Sequence, residues 1–146
     1  GKDGISQEEA EFFSIISAVH DDIMGLPKGY ETLVGERGVT LSGGQKQRIS
    51  IARAFAKKPD IVLLDDCLSA VDTNTESQIL GYLDQALADK TAIIITHRIY
   101  GMLQFDKIIV LHDHGISEAG THESLIAAGG YYAELFEKQS AGEVVR

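Results

Sequence analysis

The stretch LSGGQKQRISIARAFAKKPDIVLLDD, Leu41 to Asp66, decides the fold. It predicts a helix from near Ser42 to about Lys58, stopped at Pro59, which has no N–H to carry the helix on. Ile61 to Leu64 follows as an unbroken apolar run closed by Asp65-Asp66. Such a run reads as a strand buried on both faces, as in a parallel sheet. The pattern then repeats. Thr73 and Glu76 have capping-box spacing, Ile79, Leu80, Leu83 and Leu87 mark one buried helical stripe, and Thr91 to Thr96 reads as a second buried strand. This alternation of helix and strand predicts an α/β fold.

Upstream, Ser6-Gln7-Glu8-Glu9 reads as a capping box opening a helix, and Phe12, Ile16, Val19 and Ile23 give it one apolar face. Asp21 and Asp22 then fall late in that helix, where the dipole disfavours acids. Gly25 to Gly38 reads as a loop punctuated by Pro27, Gly29 and Gly35. Downstream, Lys107 to Leu111 and Ile116 to Glu118 read as a hairpin joined through Asp113-His114-Gly115. A short helix near Thr121 to Ala127, a Gly129-Gly130 break and a helix from Tyr131 to about Lys138 follow, and Gln139 to Arg146 is expected to fray.

Composition narrows the function classes. The 146 residues are 44% hydrophobic and 24% charged, which supports a folded core. A net charge of −9 argues against a nucleic-acid or anionic-membrane binder, since both favour a basic face. One cysteine excludes an internal disulfide and a multi-Cys zinc site, and it fits a reducing compartment. No apolar run approaches the roughly 20 residues of a spanning helix. No signal-peptide pattern is visible. The chain starts at Gly1 rather than Met, so it is expected to be cut from something longer.

Three places carry chemistry. Ser42 and Gln45 have capping-box spacing, and Gly43 and Gly44 leave backbone N–H groups uncovered at the positive end of a helix, which suits an anion such as phosphate. The helix behind them holds Lys46, Arg48, Arg53, Lys57 and Lys58, five of the chain's 13 bases. A solvated basic surface helix explains the same residues. Asp65 and Asp66 close a buried strand, where α/β proteins bind ligands; one carboxylate could hold the water shell of Mg²⁺ and the other polarise an attacking water. A solvated Asp pair in a turn is the plainer alternative. His97 ends the second strand and could donate a hydrogen bond to a phosphate oxygen in the same crevice, or serve structure alone. His20, His112, His114 and His122 have no metal-site spacing and read as structural.

The order and spacing of these segments resemble the ATP-binding cassette (ABC) family of ATPases, from about Ser6 to about Lys138. Leu41-Ser42-Gly43-Gly44-Gln45 resembles the ABC signature motif, Ile61 to Asp65 the Walker B strand, Ser69-Ala70-Val71-Asp72 the D-loop and His97 the switch histidine. Thr32 to Gly38 resembles the segment before the signature in exporters, and Glu118 to Glu123 resembles the exporter tail. Leu33 stands where many exporters carry Glu, and Asp66 stands where the catalytic Glu is usual, followed by Cys67.

The resemblance implies a P-loop NTPase-like (RecA-like) parallel-sheet core that is incomplete. Residues 1–58 would belong to the helical subdomain, 59–138 to the catalytic core and 139–146 to a frayed tail. No Gly-x-x-x-x-Gly-Lys-Ser/Thr occurs, nor the glutamine of the Q-loop, so the chain resembles the second part of a nucleotide-binding domain. In the family, two such domains trap ATP head to tail. Leu41, Ser42, Gly43, Gly44 and Gln45 would then meet ATP held by the partner domain, Asp65 would contact Mg²⁺ through water, and Asp66 and His97 would serve catalysis. Asp72 would organise the interface. The implied partners are a second nucleotide-binding domain and a transmembrane domain at the cytoplasmic face of the plasma (inner) membrane, without nucleic acid. Asp66 is one methylene shorter than Glu, so slow hydrolysis is expected at that site, which suits a heterodimer with one weak site; the resemblance leaves both homo- and heterodimer open. The 146 residues alone are expected to be inactive. A non-transporter ABC-type ATPase and a non-catalytic interaction module from a truncated gene are the alternative readings.

Overall fold

The computed structural model describes residues 4–35, 38–101 and 103–142. Two compact units divide at Thr96/His97. The first contains α1 (Gln7–Ile16), α2 (His20–Met24), a 3₁₀ turn (Gly29–Glu31), α3 (Gly43–Phe55), β1 (Ile61–Asp65), α4 (Thr73–Leu87) and β2 (Thr91–Ile95). The second contains β3 (Ile108–His112), β4 (Gly115–Gly120), α5 (His122–Ala128) and α6 (Tyr131–Ser140). The fold is α/β with a small parallel sheet, as the alternation predicts.

The Ser6 capping box forms as expected. Ser6 Oγ accepts from the Glu9 N–H at 3.1 Å, and the Glu9 carboxylate accepts from the Ser6 N–H at 3.4 Å. The helix it opens is shorter than the apolar spacing implies. Ala18 takes a left-handed φ of 51° and splits the expected single helix into α1 and α2. The split moves Asp21 and Asp22 from a helix end, where they are unfavourable, to the first turn of α2, where the dipole favours them. It also exchanges the two phenylalanines: Phe13 is buried and Phe12 is 58% exposed. Arg48 on α3 secures the corner, its guanidinium donating to the Ala18 carbonyl and pairing with Asp22 at 2.8 Å. Glu36 and Arg37 of the expected loop lie outside the described residues, and the loop's earlier part is not irregular throughout. It holds the 3₁₀ turn, and Tyr30 Oη bonds His20 Nδ1 at 2.9 Å.

The core of the first unit gathers Val19, Ile51, Phe55, Val62, Leu64, Leu68, Ile79, Leu80 and Leu83. β1 and β2 pair in parallel, Ile61 opposite Thr91 through Asp65 opposite Ile95. The strands are not buried on both faces. Val62 and Leu64 are buried, whereas Ile61, Leu63, Ile93 and Ile95 stand 67%, 62%, 52% and 50% exposed. Among the described residues this sheet has only two strands, and one face lacks a covering layer. The N-cap of α4 is also one residue earlier than the Thr73–Glu76 spacing implies. Asp72 is extended (φ −70°, ψ 158°), and its carboxylate accepts from the Thr75 N–H at 3.1 Å.

The hairpin of the second unit forms with the predicted turn. Asp113 and His114 both have positive φ, 48° and 63°, which matches the right-handed twist of the strands they join. Glu118 on β4 caps α6, accepting from the N–H groups of Tyr131 (2.6 Å) and Tyr132 (3.3 Å). A side chain at Gly130 would collide with that carboxylate, its Cβ only 2.6 Å from Oε1. Helix α6 runs through Gln139 and Ser140 rather than ending near Lys138. Gln139 is held, not frayed: its amide donates to the Ile99 carbonyl at 2.7 Å and accepts from the Ile99 N–H at 2.9 Å. Residues 143–146 lie outside the described residues.

The uncovered apolar sheet face carries a consequence for the 146-residue chain on its own. It is expected to self-associate or to melt broadly, because solvent-exposed β-branched faces drive strand-mediated association. Analytical ultracentrifugation with thermal denaturation checks this; a monodisperse monomer with a sharp cooperative melt contradicts it.

Candidate functional site

The N-terminus of α3 is built as the sequence predicts. Ser42 is extended (φ −63°, ψ 164°), its Oγ accepts from the Gln45 N–H at 3.2 Å, and Gln45 Oε1 accepts from the Ser42 N–H at 3.0 Å. The Lys46 N–H bonds the Ser42 carbonyl at 3.0 Å. The N–H groups of Gly43 and Gly44 have no partner within the helix, because the first turn has no preceding carbonyls to meet them. Ser42 and Gly43 are exposed, and Leu41 is half-buried. The carboxamide of Gln45 is spent inside the chain: besides the capping box, its Nε2 donates to Asp22 Oδ1 at 2.8 Å. What this end of the helix offers an anion is therefore backbone N–H groups and the positive end of the dipole.

Gly44 has a second reason to lack a side chain. A Cβ there would lie 2.7 Å from the Ala70 carbonyl oxygen, so the turn after β1 approaches the α3 backbone directly. That turn carries the aspartates. Asp65 is the last residue of β1 and exposed. Asp66 is half-buried, takes a left-handed φ of 45°, and extends the parallel ladder through its N–H to the Ile95 carbonyl at 2.8 Å. Cys67 is half-buried, and burial pushes its thiol up to about 11, with the negative charges of Asp66 and then Asp65 adding to the rise. A thiol so shifted stays protonated and unreactive near neutrality.

Sequence reasoning passed over Gln47, which connects the two segments. Its Nε2 donates to Ser69 Oγ at 2.9 Å and to the Asp66 carbonyl at 3.3 Å, and its Oε1 accepts from the Ala70 N–H at 2.9 Å. A signal was available. Gln47 follows Gly43 and Gly44 by four and three residues, so it lies on the helix face that the glycines open.

The basic character of α3 is partly neutralised within the chain. Arg48 pairs with Asp22, and Lys58 beyond the helix pairs with Glu9 at 2.6 Å. Two of the five bases thus hold α1 and α2 and are committed away from an external phosphate, while Lys46, Arg53 and Lys57 are exposed. His97 is exposed and begins the second unit. His122 makes a 2.9 Å hydrogen bond to Tyr132 Oη, in line with its structural reading. Among the described residues no three His, Cys, Asp or Glu side chains cluster as a metal site. A single exposed carboxylate at Asp65 suits Mg²⁺, which keeps several waters and takes most remaining ligands from phosphate. An open cleft of about 620 Å³ borders Asp22, Gln45 and Arg48, but neither Asp65 nor Asp66 lines it.

Comparison with known proteins identifies the family of the chain. A family model described as ABC transporter matches residues 11–69. The chain is 50% identical over 124 residues to ABC transporter aclQ of Aspergillus oryzae, which covers 85% of this chain and 15% of that protein. It is 48% identical over 134 residues to the multidrug resistance-like ATP-binding protein MdlA of Escherichia coli, covering 92% of this chain and 23% of that one. A solved structure of a bacterial Atm1-family ABC exporter with ATP bound superposes with a TM-score of 0.83 at 41% identity, over 99% of this chain and 25% of that one.

The chain belongs to the ABC transporter family. It corresponds to the nucleotide-binding part of the family's exporters, and its α/β fold matches part of the ABC ATPase fold. The chain spans 15% of the length of aclQ and 17% of the ATP-binding cassette sub-family B member 6 of Mesocricetus auratus. Among the described residues no helix is long and apolar enough to cross a membrane.

The Asp72 cap gives the site a pH dependence. Hydrogen bonds from the Thr75 side chain and then its backbone N–H hold the Asp72 carboxyl below its ordinary value of 3.8. The folded value lies below the unfolded one. The cap therefore stabilises the fold above the unfolded value, and this is lost as pH falls through the folded value. Asp72→Asn, which keeps a capping oxygen without a titrating group, is expected to flatten the acid limb of the thermal midpoint below about pH 4. Superimposable limbs for the two proteins would contradict this.

Proposed function

We propose that this chain is part of the ATP-binding subunit of an ABC exporter and acts on two different nucleotides through two ends of one rigid unit. The observation that carries the reading is the direct seating of the Asp66–Ala70 turn on the Gly44 backbone, which ties an exposed phosphate-compatible helix end to the exposed Asp65 carboxylate and the half-buried Asp66. Neither the Gly43–Gly44 backbone nor the two carboxylates line the open cleft beside α3, and the sequence holds no phosphate-cradling loop. Both ends therefore act on groups supplied from outside these 146 residues.

In this reading Ser42, Gly43 and Gly44, flanked by Leu41 and Gln45, meet the γ-phosphate of ATP held by a partner nucleotide-binding domain. Backbone N–H groups and the helix dipole stabilise its charge. Gln45 serves by fixing the cap, since its amide is already bonded to Ser42 and Asp22. Asp65 would hold Mg²⁺ through coordinated water, and the bound ion would supply neutralisation of developing phosphate charge. Asp66 accepts a hydrogen bond from the attacking water. The water oxygen bonds the γ-phosphorus, the bond from that phosphorus to the β–γ bridging oxygen breaks, and ADP and phosphate leave with the water's proton passing toward the carboxylate side. His97 contacts the γ-phosphate of the chain's own site, and Asp72 orders the interface between domains. The associated transmembrane domain converts closure and reopening into transport at the cytoplasmic face of the membrane.

The left-handed backbone at Asp66 places a short carboxylate where reach matters. In the full-length protein Asp66→Glu is expected to raise ATP turnover at that site by about tenfold, since general-base contributions are of order 10² or more and depend on hydrogen-bond reach. Unchanged or lower turnover, measured as phosphate release, would contradict the reach argument. The 146 residues alone are expected to release no phosphate from ATP, and steady turnover by the purified chain would overturn the two-nucleotide reading.

A further inference from the structure

Gln47 spends its whole carboxamide on one turn. Nε2 donates to Ser69 Oγ and to the Asp66 carbonyl, and Oε1 accepts from the Ala70 N–H. Ser69 Oγ donates in turn to the same Asp66 carbonyl at 3.1 Å. Asp66 is thus gripped on both sides, its carbonyl by Gln47 and Ser69 and its N–H by the Ile95 carbonyl. The grip matters because a non-glycine residue in the left-handed region is held there when its surroundings over-determine it. Gly44 limits the remaining freedom: its backbone abuts the Ala70 carbonyl, so the turn cannot advance toward α3.

We propose that Gln47 is a positioning residue that keeps the Asp66 carboxylate in register with the N-terminus of α3. The inference rests on the functional reading above and deepens it. A phosphate drawn against Gly43 and Gly44 pulls on α3, and Gln47 passes that displacement to the turn from which Asp66 reaches its water. The two nucleotide sites are then coupled through one side chain. Gln47 itself touches neither nucleotide.

The test uses the full-length transporter in lipid, with ATP turnover measured against ATP concentration. Gln47→Met keeps the length and helix propensity of the side chain but removes all three hydrogen bonds. Gln47→Glu is nearly isosteric and keeps the acceptor for the Ala70 N–H while losing both donations. Both variants are expected to lower kcat about tenfold with the KM for ATP within about twofold, and to abolish cooperativity in ATP. In an Asp66→Asn background Gln47→Met is expected to add no further loss, because its effect passes through Asp66. Ser50→Ala, an exposed change on the same helix, serves as the control and is expected to leave turnover unchanged. Wild-type cooperativity and kcat in both Gln47 variants would overturn the proposal while leaving the functional reading in place. Additive loss in the double variant would overturn it too, as would a loss tracked by a lowered melting midpoint in both variants. A wild-type protein that hydrolyses no ATP would instead overturn the functional reading.

Discussion

The contact between the Gly44 backbone and the Ala70 carbonyl is the constraint on which the site depends. With a Cβ at position 44 only 2.7 Å from that oxygen, the turn after β1 could not reach α3. The Gln47 amide could not then span to Asp66, Ser69 and Ala70. One missing methyl group thereby sets the distance between a helix end suited to an anion and a strand end that carries two carboxylates. The second glycine of Leu41–Gln45 serves packing within the chain as well as access from outside it.

Charge plays a related part. The bases of α3 look, in sequence, like a surface presented outward. Arg48 is instead turned onto Asp22 and the Ala18 carbonyl, and it braces the corner between α1 and α2. Asp22 holds Gln45 as well as Arg48, so the cap of α3 and the α1–α2 corner share one carboxylate. A partly buried ion pair with added hydrogen bonds orients its partners more than it stabilises the fold. Here it orients the amide that closes the α3 cap.

Local chemistry was legible in the sequence wherever it was self-contained. The Ser6 and Ser42 capping boxes, the Asp113-His114 turn and the order of helices and strands all follow from residues within a few positions of one another. The misreadings have distant causes. The Phe12–Ile23 stripe conceals a break at Ala18 because the group that satisfies the break, Arg48, lies thirty positions away. The apolar runs at Ile61–Leu64 and Thr91–Thr96 imply cover on both faces, and the described residues supply it on one. Asp72 displaced Thr73 as the cap of α4 because both residue types cap well and only the backbone angles choose between them. Gln47 was hidden because a polar residue on a helix does not announce a partner nineteen to twenty-three positions on.

The central claim is that one rigid unit serves two nucleotides. A cryo-electron microscopy structure of the full-length protein, with its catalytic turnover arrested on ATP, tests it most directly. The account predicts that the N–H groups of Gly43 and Gly44 lie within hydrogen-bond distance of a γ-phosphate held by the partner domain. Asp65 and Asp66 of the same chain would face a second nucleotide, with the Gln47 bonds to Asp66 and Ala70 intact. Residues 42–45 and 65–66 of one chain converging on a single nucleotide, or Gln47 turned away from Asp66 in the closed state, would contradict it.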